Sequence, residues 1–455
     1  MTTKEKIVWE CASCGLTQPK WTGSCTRCHE WNTFVEKARM ESKNTKYLSK
    51  SSNQKPILLA DVDLTKFYRI KTHFEQLDEL LGGGLVIGGL FLIAGNPGIG
   101  KSTLLLQLAA LLAKQNKKIL YVCAEESTEQ TSMRAKRLNL AGNNLYLLNE
   151  TAFHLIKEQV DNLKPDMLII DSIQTLYKED MPSAAGSVTQ VREIANEFLH
   201  LSKSKQITTF LVGHVTKSGE IAGPRVLEHI VDVVLDFEGD SQHGFRFLRS
   251  RKNRFGPTDE MVLFHMQETG LKEIKNPSHA LLEDRQKNLA GMTIVPTVDG
   301  KRSLLVELQA LVSSTVYPTP ARKSVGLEAN RLALLLAVLE KKVGYHFYKY
   351  DVFVSVAGGI RIFETGIDLG IILAIASSIA NQPLPNDLIC FGEVGLGGEL
   401  RKVMHAESRI KEAISLGFTK CVLPSNTYKT LSSKYKNKLD FVPVNLVDEA
   451  IKFLI

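Results

Sequence analysis

No run of about 18 consecutive apolar residues occurs in the 455-residue chain, so no membrane-spanning helix and no membrane partner are expected. The opening MTTKEKIVWE is too polar for a signal peptide, and the expectation is a cytoplasmic protein. Neither sign of charge dominates: 56 basic against 49 acidic side chains leave a formal charge of +7, which permits a polyanionic partner without demanding one. Cysteine is too sparse and too uneven for a secreted disulfide scaffold. Of the seven cysteines, four cluster as Cys11, Cys14, Cys25 and Cys28, while Cys123, Cys390 and Cys421 stand singly in apolar stretches and read as small buried hydrophobes. No repeat of 20–50 residues is found, which excludes solenoids and propellers.

What is present is enough apolar material, 44%, for two or three domains. Residues 1–35 hold the cysteine cluster, and 36–59 form a linker rich in Lys, Ser and Asn without a periodic apolar face. From residue 60 to about 275, short apolar strands (88–95, 118–126, 166–172 and 207–214) alternate with helices such as 102–115, the pattern of a mainly parallel sheet covered on both faces. A polar break at 274–288 opens a second mixed α/β region, 276–455, with helices expected at 328–342 and 368–381. HGFRFLR (243–249) and MVLFHM (261–266) read as strands joined by a charged turn, RKNRFGPTDE.

GNPGIGKST (95–103) follows a strand and opens a helix, the context in which a G-x-x-x-x-G-K-[ST] pattern binds a nucleotide triphosphate such as ATP. The backbone from Gly95 through Asn96, Pro97, Gly98, Ile99 and Gly100 to Thr103 is expected to curl around phosphate oxygens. Lys101 would reach the terminal phosphates, and the Ser102 hydroxyl would ligate Mg²⁺. Asp171, ending its strand, can orient the magnesium through water. Glu125, with Glu126 in reserve, ends the neighbouring strand where a carboxylate can take up the water facing the γ-phosphate. In the N-terminal region the spacing C-x₂-C, ten residues, C-x₂-C supplies four thiolates to a structural Zn²⁺, with His29 a bystander.

The run LDELLGGGLVIGG (77–89), the phosphate loop, YVCAEES (121–127) and MLIIDS (167–172) resemble the RecA-type ATPase core. Together with the leading cysteines and KNRFG (Lys252 to Gly256), they resemble the bacterial RadA (Sms) family of DNA repair ATPases over essentially the whole chain. The resemblance implies an α/β fold: a RecA-like P-loop ATPase with a small zinc ribbon or knuckle before it. It also implies a homo-oligomeric, hexameric ring in which Lys252 and Arg254 reach the neighbouring subunit's γ-phosphate, with Arg251 facing solvent; DNA contact or a solvated turn are the other readings of that segment. His214 and Thr216 fall where related enzymes keep a γ-phosphate sensor, and loops 176–190 and 214–232 face the ring centre, the latter offering Lys217 and Arg225 to DNA.

Residues from about 285 onward resemble the proteolytic domain of the Lon family, most clearly in ETGIDLGIILAIAS (364–377) and GEVGLGGELRKVMHAESRIKEA (392–413). The serine position falls on Ile367 or Asp368 and the lysine position near Glu407, so peptidase chemistry is not expected. Arg322, Lys323 and Arg331 are instead candidates for a DNA-backbone patch. The expected activity is a DNA-dependent ATPase of recombination and repair, a ring-forming translocase or helicase on single-stranded or branched DNA that works with recombinase or other repair proteins. The alternatives are a non-motor, ATP-switched assembly factor and, least favoured, an ATP-dependent protease.

Overall fold

The computed structural model describes residues 6–11, 17–18, 20–26, 28–31, 33–39, 58, 68–214, 224–239, 244–258, 260–299, 302–316, 318–431 and 433–454. Two compact units result, Met1–Lys66 and Phe67–Ile455. In the first, strands β1 (Lys6–Cys11), β2 (Thr17–Gln18) and β3 (Phe34–Arg39) form an antiparallel sheet in the order β2-β1-β3. Among the described residues its core is formed by Cys11, Cys25 and Phe34, with Trp9 and Cys28 against them.

The second unit begins with a short ribbon of β4 (Arg69–Ile70) and β5 (Leu85–Val86) around helix α1 (Glu75–Leu80). Behind them lies a nine-stranded sheet: β6 (Leu90–Gly95), β7 (Ile119–Cys123), β8 (Leu145–Leu148), β9 (Met167–Asp171), β10 (Thr208–His214), β11 (Val233–Gly239), β12 (Phe245–Asn253), β13 (Met261–Gln267) and β14 (Gly270–Glu273). Its order is β14-β13-β12-β11-β6-β10-β9-β7-β8. The pairs from β11 to β8 are parallel, and β12 to β14 extend the sheet antiparallel. The reason the parallel strands read as unbroken apolar runs is visible in β6. Leu90, Leu92 and Ala94 face one core while Phe91 and Ile93 face another, because alternate residues point to opposite faces and both are covered. Helices α2 (Lys101–Lys114) and α3 (Thr128–Arg137) follow β6 and β7; α4 (Phe153–Leu163), α5 (Val188–Lys205) and α6 (Pro224–Ile230) complete the crossovers. A reciprocal capping box, Ser127 with Gln130, starts α3.

After α7 (Pro277–Leu282), the chain builds a seven-stranded mixed sheet from β15 (Met292–Asp299), β16 (Arg302–Ser314), β17 (Arg322–Val325), β18 (Tyr350–Val356), β19 (Leu388–Cys390), β22 (Lys420–Pro424) and β23 (Asp440–Val444). The order is β17-β18-β16-β15-β19-β22-β23, with β20 (Glu393–Val394) and β21 (Leu400–Arg401) as a separate ribbon. Helices α8 (Ala329–Val338), α9 (Asp368–Ala380) and α10 (Ala406–Ser415) belong to this region. The two sheets share a core. Phe247, Met261 and Leu263 of β12 and β13 are buried with Val295, Leu304, Leu335 and Leu373.

Two local readings are corrected. Strand β12 runs on to Asn253, so Arg251 and Lys252 belong to the strand rather than to a turn; a bulge opposite Val234 and Leu235 and acceptors along the edge let charged residues continue the pairing. Helix α10 starts at Ala406, directly after His405 in a left-handed backbone, φ 57°. The helix expected at 328–342 gives way after Val338 to a π turn over Leu339–Val343. Among the described residues no helix is long and apolar enough to cross a membrane.

Candidate nucleotide and metal sites

The phosphate loop leaves the C-terminal end of β6 with Asn96, Pro97 and Gly98 exposed and Ile99 buried. Lys101, only 4% exposed, folds its ammonium onto the loop, 2.9 Å from the Gly95 carbonyl and 3.0 Å from that of Asn96. Burial pulls its pKa down to about 8, against the opposing pull of Asp171 and Glu125. A positive group held dry above backbone donors is poised for an anion that restores its lost solvation.

The ends of β7, β9 and β10 converge on the same mouth. His214 Nδ1 lies 3.3 Å from Lys101 Nζ, and its Nε2 lies 2.7 Å from Glu125. The Ser172 hydroxyl donates to the same carboxylate at 2.5 Å. His214 chiefly, with Ser172, holds the Glu125 carboxyl below its usual pKa, so it remains an ionised acceptor. Asp171 behaves oppositely: burial raises its pKa although the Tyr121 hydroxyl donates to it at 2.6 Å and Ser102 bonds it as well. The Ser102 hydroxyl and the Asp171 carboxylate, the two expected oxygens for a divalent cation, are thus side by side. Glu126 points away into a 2.5 Å ion pair with Arg134.

The KNRFG segment sits at the far edge of the sheet. Its strand end pairs Lys252 with Val234 and Asn253 with Val233, and those pair with the beginning of β6, about 13 Å along the strand from the loop. Lys252 Nζ donates to the carbonyls of Glu228 (2.6 Å) and Val231 (2.8 Å) at the end of α6, while Arg254 approaches Asp232 at 3.4 Å. Burial, then the neighbouring Arg254, lowers the Lys252 pKa. Asn253 and Gly256 brace the segment on the Leu80–Gly84 turn. Arg251 is exposed, as expected, and also pairs with Asp236 at 2.5 Å and Glu228 at 3.8 Å, because β12 carries it over those carboxylates.

The DNA candidates separate. Arg322 and Lys323 are exposed on the edge strand β17. Arg331 is corrected: its guanidinium forks onto Asp368 and donates to the Val394 carbonyl at 3.0 Å, so it is committed inside the domain. Asp368, fully buried and one of the two positions where the Lon resemblance would put a serine, has its carboxyl pushed up by burial, with Arg331 offsetting this. Ile367 is buried and Glu407 lies exposed in the first turn of α10. Lys217, Thr216 and the Arg225 side chain lie outside the described residues.

In the N-terminal unit the sulfurs of Cys11, Cys25 and Cys28 lie within 4.8 Å of one another, Cys11 and Cys28 at 3.6 Å. That spacing is far from a disulfide, about 2.05 Å, and close to the about 3.8 Å edge of a tetrahedron with Zn–S bonds of about 2.3 Å. The soft donor set, with Cys11 and Cys25 buried and Cys28 partly so, fits zinc. Cys14 lies outside the described residues, and His29 is exposed.

Three families match these parts: an AAA domain over residues 55–220, a rubredoxin metal binding domain over 9–36, and subunit ChlI of Mg-chelatase over 322–427. The DNA repair protein RadA of Chlamydia trachomatis is 48% identical over 454 residues, covering 100% of both chains. That of Bacillus subtilis is 46% identical, covering 93% of each. The chain belongs to the RadA family of DNA repair proteins. A KaiC-like protein from Pyrococcus horikoshii aligns with 46% of this chain and 99% of its own at 19% identity and a TM-score of 0.39. In this RadA-family chain the phosphate loop is an ATP site and the cysteine cluster a zinc site. The pattern of the phosphate site was legible in sequence. Tyr121 against Asp171 and Arg331 against Asp368 were not, since both pairings are made only by the fold.

Proposed function

We propose that this protein is a DNA-dependent ATPase of recombination and repair that works as a homo-oligomeric ring, hexameric by resemblance, translocating on single-stranded or branched DNA beside other repair proteins. The observation that carries the reading is the placement of charge. Lys101, Ser102, Asp171, Glu125 and His214 meet at one mouth, whereas Lys252 and Arg254 sit at the opposite edge, too far to serve their own loop. Among the described residues, the two KNRFG cations are thus placed where a neighbouring subunit's γ-phosphate, not their own chain's, could receive the positive charge that phosphoryl transfer needs.

In this reading Lys101 binds the terminal phosphates, and Ser102 with Asp171 holds Mg²⁺, which neutralises phosphate charge when bound. Glu125, kept ionised by His214, orients the attacking water by accepting its proton-bearing side, and His214 links that carboxylate to Lys101. Arg254, the more exposed of the two finger residues, is presented to the neighbour; Lys252 reaches it by releasing the carbonyls of α6. Exposed Arg322 and Lys323 contribute to holding the DNA backbone.

The test mixes two inactive chains. Lys101→Ala is dead in its own loop, and Lys252→Ala in what it lends. In mixed rings, verified by labelling, one class of boundary joins an intact loop to an intact finger, and DNA-stimulated hydrolysis should partly return. Verified mixed rings that stay silent would sink the shared site, and failure of the wild type to unwind forked DNA with ATP would sink the motor.

A further inference from the structure

Three strands outside the expected phosphate motif press on the back of the loop. Phe237 on β11 closes against Gly95, where an added Cβ would stand 2.4 Å from the Phe237 carbonyl oxygen. Met266 on β13 closes against Gly100, whose φ of +115° already demands glycine and whose added Cβ would meet the Met266 methyl at 2.7 Å. Between them, β12 inserts an arginine. Arg246 is 5% exposed, and its Nε donates to the Ile99 carbonyl at 2.9 Å, while Nη1 donates to its own strand's Phe245 carbonyl at 2.8 Å.

The bond to Ile99 fixes more than a carbonyl. A trans peptide is planar, so the C=O of Ile99 and the N–H of Gly100 point in opposite directions. Tying that C=O to the sheet behind the loop turns the Gly100 N–H toward the loop's other, phosphate-facing side. The same guanidinium places a fixed positive charge beneath the loop, where little water screens it. A buried arginine is costly unless its hydrogen bonds are made, and here one goes to the nucleotide loop.

We propose that Arg246 is a positioning residue for ATP: it orients the Ile99–Gly100 peptide so that the loop is ready for phosphate before the nucleotide arrives. The proposal rests on the reading of residues 95–103 as an ATP site. Arg246 touches no reacting atom, so its effect should fall on binding rather than on turnover.

The test uses the full chain with Arg246→Met, which keeps length and apolar volume, and Arg246→Lys, which keeps charge but not the fork. Thermal melting is followed with and without ATP, and KM and kcat are measured separately. Arg246→Met should remain folded at 25 °C without nucleotide yet lose most of the ATP-induced rise in melting midpoint. Its affinity for ATP should fall roughly ten- to a hundredfold, the value of a hydrogen bond from a charged donor. Arg246→Lys should bind more tightly than Arg246→Met, with kcat at saturating ATP near wild type and KM raised. Wild-type ATP affinity in Arg246→Met would overturn the proposal. So would loss of the folded state without nucleotide in both variants, which would make Arg246 a support of the sheet alone. A wild-type chain whose melting does not respond to ATP would remove the nucleotide reading itself, and the proposal with it.

Discussion

Lys101 is a charge that the folded chain holds at a cost. Its pKa falls from 10.5 to about 8 on folding, and each unit corresponds to about 1.36 kcal/mol, so the buried ammonium costs about 3 kcal/mol at pH 7. The sign follows from proton counts. Between pH 8 and 10.5 the unfolded chain holds this proton and the folded chain does not, so stability rises with pH across that window. Below pH 8 both forms hold the proton, and the penalty is fully present. Lys101→Met removes the charge and keeps the apolar stem; it should abolish ATP binding while stabilising the nucleotide-free protein by up to about 3 kcal/mol at pH 7. The difference between variant and wild type should shrink to about half by pH 9.5. Urea titration followed by far-UV circular dichroism is the suitable assay. Tryptophan fluorescence is blind here, since all three tryptophans, Trp9, Trp21 and Trp31, lie in the zinc unit. A variant less stable than wild type by more than about 1 kcal/mol, or a difference that does not change between pH 7 and 9.5, would refute the reasoning.

The same tryptophans make the zinc site easy to follow: replacing Cys25 and Cys28 by Ser should lower metal content from about one zinc per chain to near zero and change their emission, while the ATPase unit keeps its melting transition. Retained zinc in the double variant would contradict the site. Arg331→Ala should destabilise the C-terminal region by about 3–5 kcal/mol, because it strands a fully buried Asp368 carboxylate. Adding Asp368→Leu should recover much of that loss in denaturant titrations, and single-stranded DNA affinity should be unchanged in the double variant; a loss of DNA binding there would return Arg331 to the DNA patch.

The parts of this site that lie contiguous in the chain were legible in it. Glycines, a lysine and a serine at fixed spacing after an apolar strand specify a phosphate loop, because local backbone geometry alone builds it. The acidic strand ends Glu125 and Asp171 were legible for a similar reason: parallel strands deliver their C-terminal ends to one edge, and the switch in strand order puts a crevice there. Arg246 was not, since it meets Ile99 across 147 residues. Its signal was faint but physical. Leu248 faces the core beneath α2, and with a period of two Arg246 must face the same buried side, which a charge occupies only with a partner.

Arg331 was misread for the converse reason. In YPTPARKSVGLEANR its neighbours Arg322 and Lys323 lie on an exposed edge strand, and proximity in sequence suggested a common surface. A break at Gly326 to Glu328 separates them, and α8 turns Arg331 inward to the first residue of α9. The consequence bears on the sequence resemblance to Lon-type peptidases, which would put a serine at Ile367 or Asp368. A nucleophile must be unpaired and reachable from a substrate groove. Asp368 is instead fully buried, clasped by a guanidinium and bonded by the Val394 amide at 3.1 Å. A carboxylate so placed neither attacks nor is attacked; it ties α8, α9 and the β20 ribbon together, so a position where the fold could have carried chemistry stiffens the domain that packs against the ATPase sheet.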